Sequence, residues 1–302
     1  MSLNNKIRGY FIGNNKQDFD QSKLPKNRKK QFIDILINRF GIIVKTSLLI
    51  FLFCIPALGI FIVGTNYATY IPKELEGASS EVLASRVFTI NLVMYLVLIP
   101  LIMLMFLGFQ GASKVGKKLV WNEGIFVFSD FMSGIKENFK NALFCGFLTG
   151  LMLFICMSNF YFYLMININQ YIEILFMVII FICLVVVLSS SMIMINHSNY
   201  LKIDIKSNLR NGLLFGVILL PINVGICMIT IVPIFIYLIF TNLYLQVGWL
   251  ILLAFFFLGI ISIIWNLYSI YLLDKYILKN HQPNMANIGL AQEQKEYKNG
   301  KR

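Results

Sequence analysis

The chain has 302 residues, of which 58% are hydrophobic and 13% are charged. Soluble globular proteins have about 45–50% apolar and about 25% charged residues, so this composition excludes a soluble enzyme, a disordered protein and a disulfide scaffold. It leaves a polytopic membrane protein. The formal net charge is +12, which we interpret as basic residues in cytoplasmic loops and not as a nucleic-acid surface, because no basic-aromatic binding module appears.

The N-terminal segment 1–40 is predicted to be a basic cytoplasmic arm followed by an interfacial helix. Basic residues cluster at positions 26–30, as is typical of a solvated arm. Phe32, Leu36 and Phe40 then recur at helical spacing, which favours a helix lying at the membrane surface.

Residues 41–275 form the predicted transmembrane domain, and residues 276–302 a basic cytoplasmic tail. A bilayer core about 30 Å thick needs roughly 20 apolar residues in a helix. We therefore expect an all-α, polytopic helical bundle of about six spans. The spans are expected at 41–70, 88–109, 142–163, 174–195, 213–240 and 248–272. Pro56 and Pro100 are expected to break the first and second spans, since proline removes a backbone donor.

The distribution of lysine and arginine predicts the orientation. The arm up to Lys45 holds 10 of them, the loop 110–141 holds 5, the loop 197–212 holds 3 and the tail holds 6. Of the 26, only Lys73 and Arg86 lie on the other side. By the positive-inside rule, both termini should lie in the cytoplasm, with an acidic outer loop at 72–86 that carries Glu74, Glu76 and Glu81.

Two short segments resemble each other and predict a parallel internal repeat. Residues 136–146 read KENFKNALFCG, and residues 206–216 read KSNLRNGLLFG. The shared residues are Lys136, Asn138, Asn141, Leu143 and Gly146, which recur as Lys206, Asn208, Asn211, Leu213 and Gly216. Each copy leads from a cytoplasmic segment into a span, so both enter the membrane from the same side.

No set of residues predicts catalysis, a cofactor or a metal site. The two histidines lack neighbouring ligands, and we interpret His197 as an interfacial residue. The five cysteines lie in apolar runs and are expected to pack as free thiols. The spans carry polar but essentially no charged residues, which disfavours ion-coupled transport. We expect the polar residues to join helices by hydrogen bonds, although contact with a neutral solute is an alternative. These residues are Asn91, Asn159, Asn223, Asn266 and Ser189–Ser191.

The cytoplasmic segment 125–143 is amphipathic, with apolar residues at a spacing of three to four. Ser129 is the expected N-cap of its helix. The segment is predicted either to lie on the inner membrane surface or to dock another membrane subunit, and the two roles are compatible.

The stretch KKLVWNEGIFVFSDFMSGIKENFKNAL at 117–143 resembles the signature of the YesL-like family of bacterial integral membrane proteins, a domain of unknown function. The entry to the first span, with Asn38, Arg39, Gly41 and Pro56, is also similar to that family. The resemblance covers about 38–64 and 108–275. The chain departs from the family pattern between Thr65 and Leu107, where an outer loop and a further span are inserted.

The resemblance implies a non-enzymatic accessory protein of carbohydrate uptake. Its expected partners are the lipid bilayer and the permease or sensor subunits of an oligosaccharide ABC importer. The residues predicted to contact such a partner are Phe128, Asp130, Phe131, Lys136, Asn138, Lys140, Lys206, Asn208 and Arg210.

Two alternative functions stay open. One is a channel or facilitator for a small neutral solute, motivated by the expected breaks at Pro56 and Pro100. The other is an envelope-stress or immunity protein without a ligand.

Overall fold

The structure is a computed structural model that describes residues 24–74, 77, 79–165, 169–201, 203–240, 242–281 and 283–291. Arm residues 1–23, Glu76 of the expected outer loop and tail residues 292–302 lie outside this part of the chain. Within the described part every regular element is a helix, which confirms the predicted all-α class.

The helices follow one another with short connections. They are α1 (Arg28–Asn38), α2 (Phe40–Glu74), α3 (Ser80–Trp121), α4 (Val127–Met165), α5 (Gln170–Tyr200), α6 (Ile205–Ile218), α7 (Leu220–Ile239), α8 (Leu243–Leu252), α9 (Leu258–Leu272) and α10 (Lys279–His281). Two π-helical segments, Leu253–Phe257 and Leu273–Leu278, join α8, α9 and α10 into one continuous helical segment. A 3₁₀ turn at Pro283–Met285 follows.

Five of these segments are long and apolar enough to cross a membrane, and a sixth span is present if one bent helix pair is counted. The five are Phe40–Tyr67, Val82–Trp121, Val127–Phe162, Gln170–Tyr200 and Tyr244–Leu278. The bent pair joins Ile205–Ile218 to Leu220–Ile234. These segments are those of a multi-pass membrane protein of about six spans, as the apolar runs predicted.

The long helices extend well beyond the predicted spans. Helix α3 has 42 residues, so at 1.5 Å per residue it is about 63 Å long, twice the thickness of a bilayer core. The expected breaks at Pro56 and Pro100 were wrong, because α2 and α3 run through both prolines as continuous helices. In a membrane the other backbone groups have no water to bind, so the helix is retained around a proline.

The break lies instead in the fifth predicted span, where α6 and α7 meet at an angle of 94°. Pro221 lies in the first turn of α7 and cannot donate a backbone hydrogen bond, so α6 ends just before it. Asn223 Nδ2 donates to the carbonyl oxygens of Phe215 and Gly216, near the end of α6, at 2.9 and 3.0 Å. Tyr268 then donates to Asn223 Oδ1 at 2.8 Å, which fixes the bend against α9.

One end of the bundle collects α1, the C-terminal ends of α3 and α5, and the N-terminal ends of α4 and α6. We call it the basic end, because its residues include Arg28, Lys118, Lys136, Lys140 and Lys206. Helix α5 is its centre, since nearly every side chain from Ser189 to Tyr200 is buried.

Candidate functional site at the basic end

The nine residues predicted to contact a partner all lie at the basic end, but they differ in exposure. Phe128 is 67% exposed, and the four cationic residues are exposed as well: Lys136, Lys140, Lys206 and Arg210. Asn138 is half-buried. Asp130, Phe131 and Asn208 are buried, with at most 7% of each exposed. The last three can therefore position the surface but not form it.

Asp130 holds the turn that precedes α4. One carboxylate oxygen accepts from Lys118 Nζ at 2.7 Å, and the other accepts from the backbone N–H of Phe126 at 2.8 Å. The first backbone N–H groups of a helix have no partner within the helix, and a carboxylate in the first turn can accept a hydrogen bond from one of them. Helix α4 begins at Val127, so the expectation that Ser129 is the N-cap was wrong, and Asp130 secures this helix start instead.

Phe131 joins the start of α4 to α3. Its ring lies against Gly111, where an added Cβ would approach the ring to 2.9 Å. It also lies 5.9 Å from the ring of Phe53 in α2. Lys114 of α3 pairs with Glu137, which also accepts from Ser133 at 2.7 Å. The amphipathic segment 125–143 thus packs on the C-terminal part of α3. Only the face of the segment that points away from α3 is available to lipid or to a partner.

Three asparagines of the repeat meet around the end of α5. Asn208 Nδ2 donates to Asn141 Oδ1 at 3.1 Å and to the carbonyl oxygen of Met194 at 2.9 Å. Asn141 Nδ2 also donates to that carbonyl, at 3.3 Å. Asn138 has non-helical torsion angles, which kink α4, and its Nδ2 donates to Asn199 Oδ1 at 3.1 Å. The two copies therefore enter the bundle from the same end, in the parallel sense that the sequence predicted.

The last glycine of each repeat copy serves the same packing role. A Cβ at Gly146 would lie 2.6 Å from the Cα of Met103 in α3. A Cβ at Gly216 would clash with Ser190 Oγ in α5. Each copy is thus pressed closely against the helix that precedes it. The copies differ further along, since α4 continues as a long helix and α6 ends at the 94° bend.

A buried polar network lies beneath this surface, and it was not assembled by reasoning from sequence. Asn266 of α9 donates to the carbonyl oxygen of Ser113 and to Asn196 Oδ1, both at 3.0 Å. It accepts from the hydroxyl of Tyr200 at 2.6 Å. Ser113 Oγ donates to Asn196 Oδ1 at 2.8 Å and accepts from Asn199 Nδ2 at 2.9 Å. Three helices, α3, α5 and α9, are joined through these side chains.

The segments that flank the bundle close over the basic end. Arg28 of α1 forms an ion pair with Asp274 at 2.6 Å, and both side chains are largely buried. The backbone N–H of Asn287 donates to the other Asp274 oxygen at 2.9 Å. Gln31 Nε2 donates to the carbonyl oxygens of Val120 and Gly289 at 2.7 and 3.3 Å. The described parts of the arm and the tail are thus one unit with the bundle.

His197 is not the interfacial residue that we expected, because it is completely buried. Its ring lies edge-on to Phe215 at 5.9 Å. Neither ring nitrogen has a hydrogen-bond partner among the described residues. All five cysteines are free thiols: Cys54, Cys145 and Cys227 are buried, Cys156 is partly buried and Cys183 is exposed.

A cleft of about 220 Å³ opens beside the kink in α4. It is lined by Lys136, Glu137, Asn138, Phe139, Lys140, Asn141, Ser198, Ile203 and Ile205. Three residues predicted from sequence, Lys136, Asn138 and Lys140, therefore share one concave surface. At the edge of the cleft, Asp204 is the N-cap of α6. The hydrogen bonds that the Asp204 carboxyl accepts from Ser207 hold its pKa below the ordinary value.

Comparison of the chain with protein-family models, with curated proteins and with solved structures finds no match. The YesL-like resemblance therefore stays a prediction that depends on the motif at 117–143 and on the entry to the first span.

Proposed function

We propose that this chain is a non-enzymatic accessory subunit of a bacterial plasma membrane, of YesL-like type. In this proposal its basic end faces the cytoplasm and associates with the permease or sensor subunits of an oligosaccharide ABC importer. The class of partner comes from the resemblance, and the orientation comes from the positive-inside rule.

One observation carries the preference for an accessory role over a solute pathway. Asn141, Asn196, Asn208 and Asn266 are buried at the basic end, and each uses its side chain to bind a neighbouring helix or another member of the set. Interhelical hydrogen bonds of this kind stabilise a membrane bundle. Side chains already paired in this way support a rigid scaffold more directly than they support a solute path.

The surface that remains available suits a protein partner. Phe128 is an exposed aromatic residue on a helix start that Asp130 and Lys118 hold in place. Lys206 and Arg210 are exposed on α6, and no ion pair involves them within the described residues. Aromatic residues and arginine are enriched at protein interfaces, and Phe128 and Arg210 are both exposed at this end of the bundle.

Affinity purification from native membranes in mild detergent tests this proposal. Tagged wild-type protein should recover permease or sensor subunits, whereas the triple variant Phe128→Ala, Lys206→Gln, Arg210→Gln should not. These three positions do not line the cleft.

The matched control changes two exposed residues of α1 and the exposed cation that follows this helix, as Ile37→Ala, Lys29→Gln, Arg39→Gln. It should recover the partner as the wild type does. Equal loss in both triple variants, or no such subunit recovered with intact wild-type bait, would contradict the proposal.

The alternative of a neutral-solute facilitator retains one favourable observation, the 94° break between α6 and α7. Broken helices near the membrane midplane often form solute sites. Here, however, the Asn223 side chain already binds the carbonyl oxygens of Phe215 and Gly216 beside the break. Flux of glycerol or of a small sugar into liposomes that hold only the purified protein would favour the facilitator, and background flux would favour the accessory role.

A further inference from the structure

The lining of the cleft beside the kink in α4 carries two lysines and one carboxylate. Lys136 and Lys140 are exposed at its rim, and neither forms an ion pair with another described residue. The acidic residue of the cleft, Glu137, is already paired with Lys114 and accepts a hydrogen bond from Ser133. Asp204, at the edge of the cleft, accepts a hydrogen bond from the backbone N–H of Ser207 as the N-cap of α6. Lys136 and Lys140 are therefore the unpaired charges of the lining that an incoming anion meets.

The inner wall of the cleft offers further donors. Asn138 Nδ2 gives one hydrogen bond to Asn199, and Asn141 Nδ2 gives one to the carbonyl oxygen of Met194. Because each amide group carries two N–H donors, both asparagines keep a second donor. The Ser198 hydroxyl also lines the cleft but already donates to the carbonyl oxygen of Ile195 at 2.8 Å, so it adds no free donor. Amide and ammonium donors that converge on one concavity suit an anion with several oxygens.

The cleft also lies where the surface changes from charged to apolar. Phe139 and Ile205 line it and are exposed. Further along the same helices, away from the basic end, Phe147 of α4 and Leu213 and Leu214 of α6 are exposed too. Exposed apolar residues on a membrane protein face acyl chains, so the adjoining cations lie at the depth of the lipid headgroups.

We propose that this cleft binds the phosphate of an anionic phospholipid headgroup, with Lys136 and Lys140 as its cations and Asn138 and Asn141 as neutral donors. One acyl chain of the lipid would lie along Phe139 and the apolar surface above it. Basic pockets between transmembrane helices are a recurring type of site for such headgroups. The site needs no partner protein and does not depend on the proposed function.

Native mass spectrometry of the purified full-length chain tests the proposal directly. The protein is delipidated in detergent and titrated separately with phosphatidylglycerol, phosphatidylcholine and inorganic phosphate. We expect a one-to-one adduct with phosphatidylglycerol that phosphatidylcholine does not form. We also expect millimolar inorganic phosphate not to displace it. Since each interfacial lysine contributes about a factor of five, Lys136→Gln, Lys140→Gln should bind about 25-fold more weakly.

Two matched variants make the result specific. Lys29→Gln, Lys30→Gln removes two exposed cations of the basic end that lie outside the cleft, and it should bind as the wild type does. Lys136→Arg, Lys140→Arg retains both charges and should keep the adduct. Absence of the adduct from wild type, equal weakening by both glutamine pairs, or full displacement by inorganic phosphate would each overturn the proposal. The last outcome would identify a site for free phosphate.

Discussion

Asn266 is the residue on which the interior of the bundle should depend most, and its replacement by alanine gives a quantitative test. The side chain is fully buried and takes part in three hydrogen bonds that reach α3 and α5. An interhelical hydrogen bond in a membrane protein contributes about 0.6 kcal/mol on average, so Asn266→Ala should lower the free energy of unfolding by about 2 kcal/mol. Loss of a partner for the buried Tyr200 hydroxyl acts in the same direction.

The assay is reversible unfolding in bicelles by added dodecyl sulfate, followed by tryptophan fluorescence. Asn159→Ala is the control, because within the described part of the chain Asn159 Nδ2 donates only to the carbonyl oxygen of Ile155 in its own helix. It should change the free energy by no more than about 0.5 kcal/mol. Tyr200→Phe should cost about 0.6 kcal/mol alone and less in the Asn266→Ala background. If Asn266→Ala proves no more destabilising than Asn159→Ala, the network does not hold the helices together.

Three further predictions concern close packing and the closure of the basic end. Gly111→Ala should destabilise the bundle by about 1–3 kcal/mol in the same assay, because the added Cβ would meet the Phe131 ring, and unchanged stability would contradict that packing. Arg28→Ala should cost about 3 kcal/mol by leaving the buried Asp274 carboxylate unpaired, whereas the double change Arg28→Ala, Asp274→Asn should cost less, and equal losses would refute the ion pair. Gly289→Ala should release the tail, because the backbone there has a φ of +82° and a Cβ would clash with a carbonyl oxygen; the measurement is faster trypsin cleavage after Lys279, and an unchanged rate would contradict it.

The spans could be predicted from sequence because a single local property, an uninterrupted apolar run, determines where a helix can cross lipid. The ends of the helices could not be predicted from that property. Helix α3 continues past its predicted end at residue 109 to Trp121, and this extension is stabilised by contact with the start of α4. The 94° bend after Ile218 was missed for a similar reason, since it depends on bonds made by Asn223 and Tyr268.

The site was predicted in part. The amphipathic spacing placed Phe131 on the apolar face of its helix. It did not show that this face packs against Gly111 of α3 in the same chain. The repeat singled out Asn138 and Asn208, and only the fold shows that Asn208 binds Asn141. The ion pair of Arg28 with Asp274 joins residues 246 positions apart, a separation at which local pattern carries no information.

The orientation of the chain is the premise of the proposed function, and selective labelling in intact cells tests it most directly. Single cysteines are placed at Glu76 and at Ser207 in a variant without the five native cysteines, and a membrane-impermeant maleimide is added. The account predicts that the cysteine at position 76 is labelled in intact cells and the one at position 207 only after permeabilisation. The reverse pattern would place the basic end outside the cell and would contradict the account.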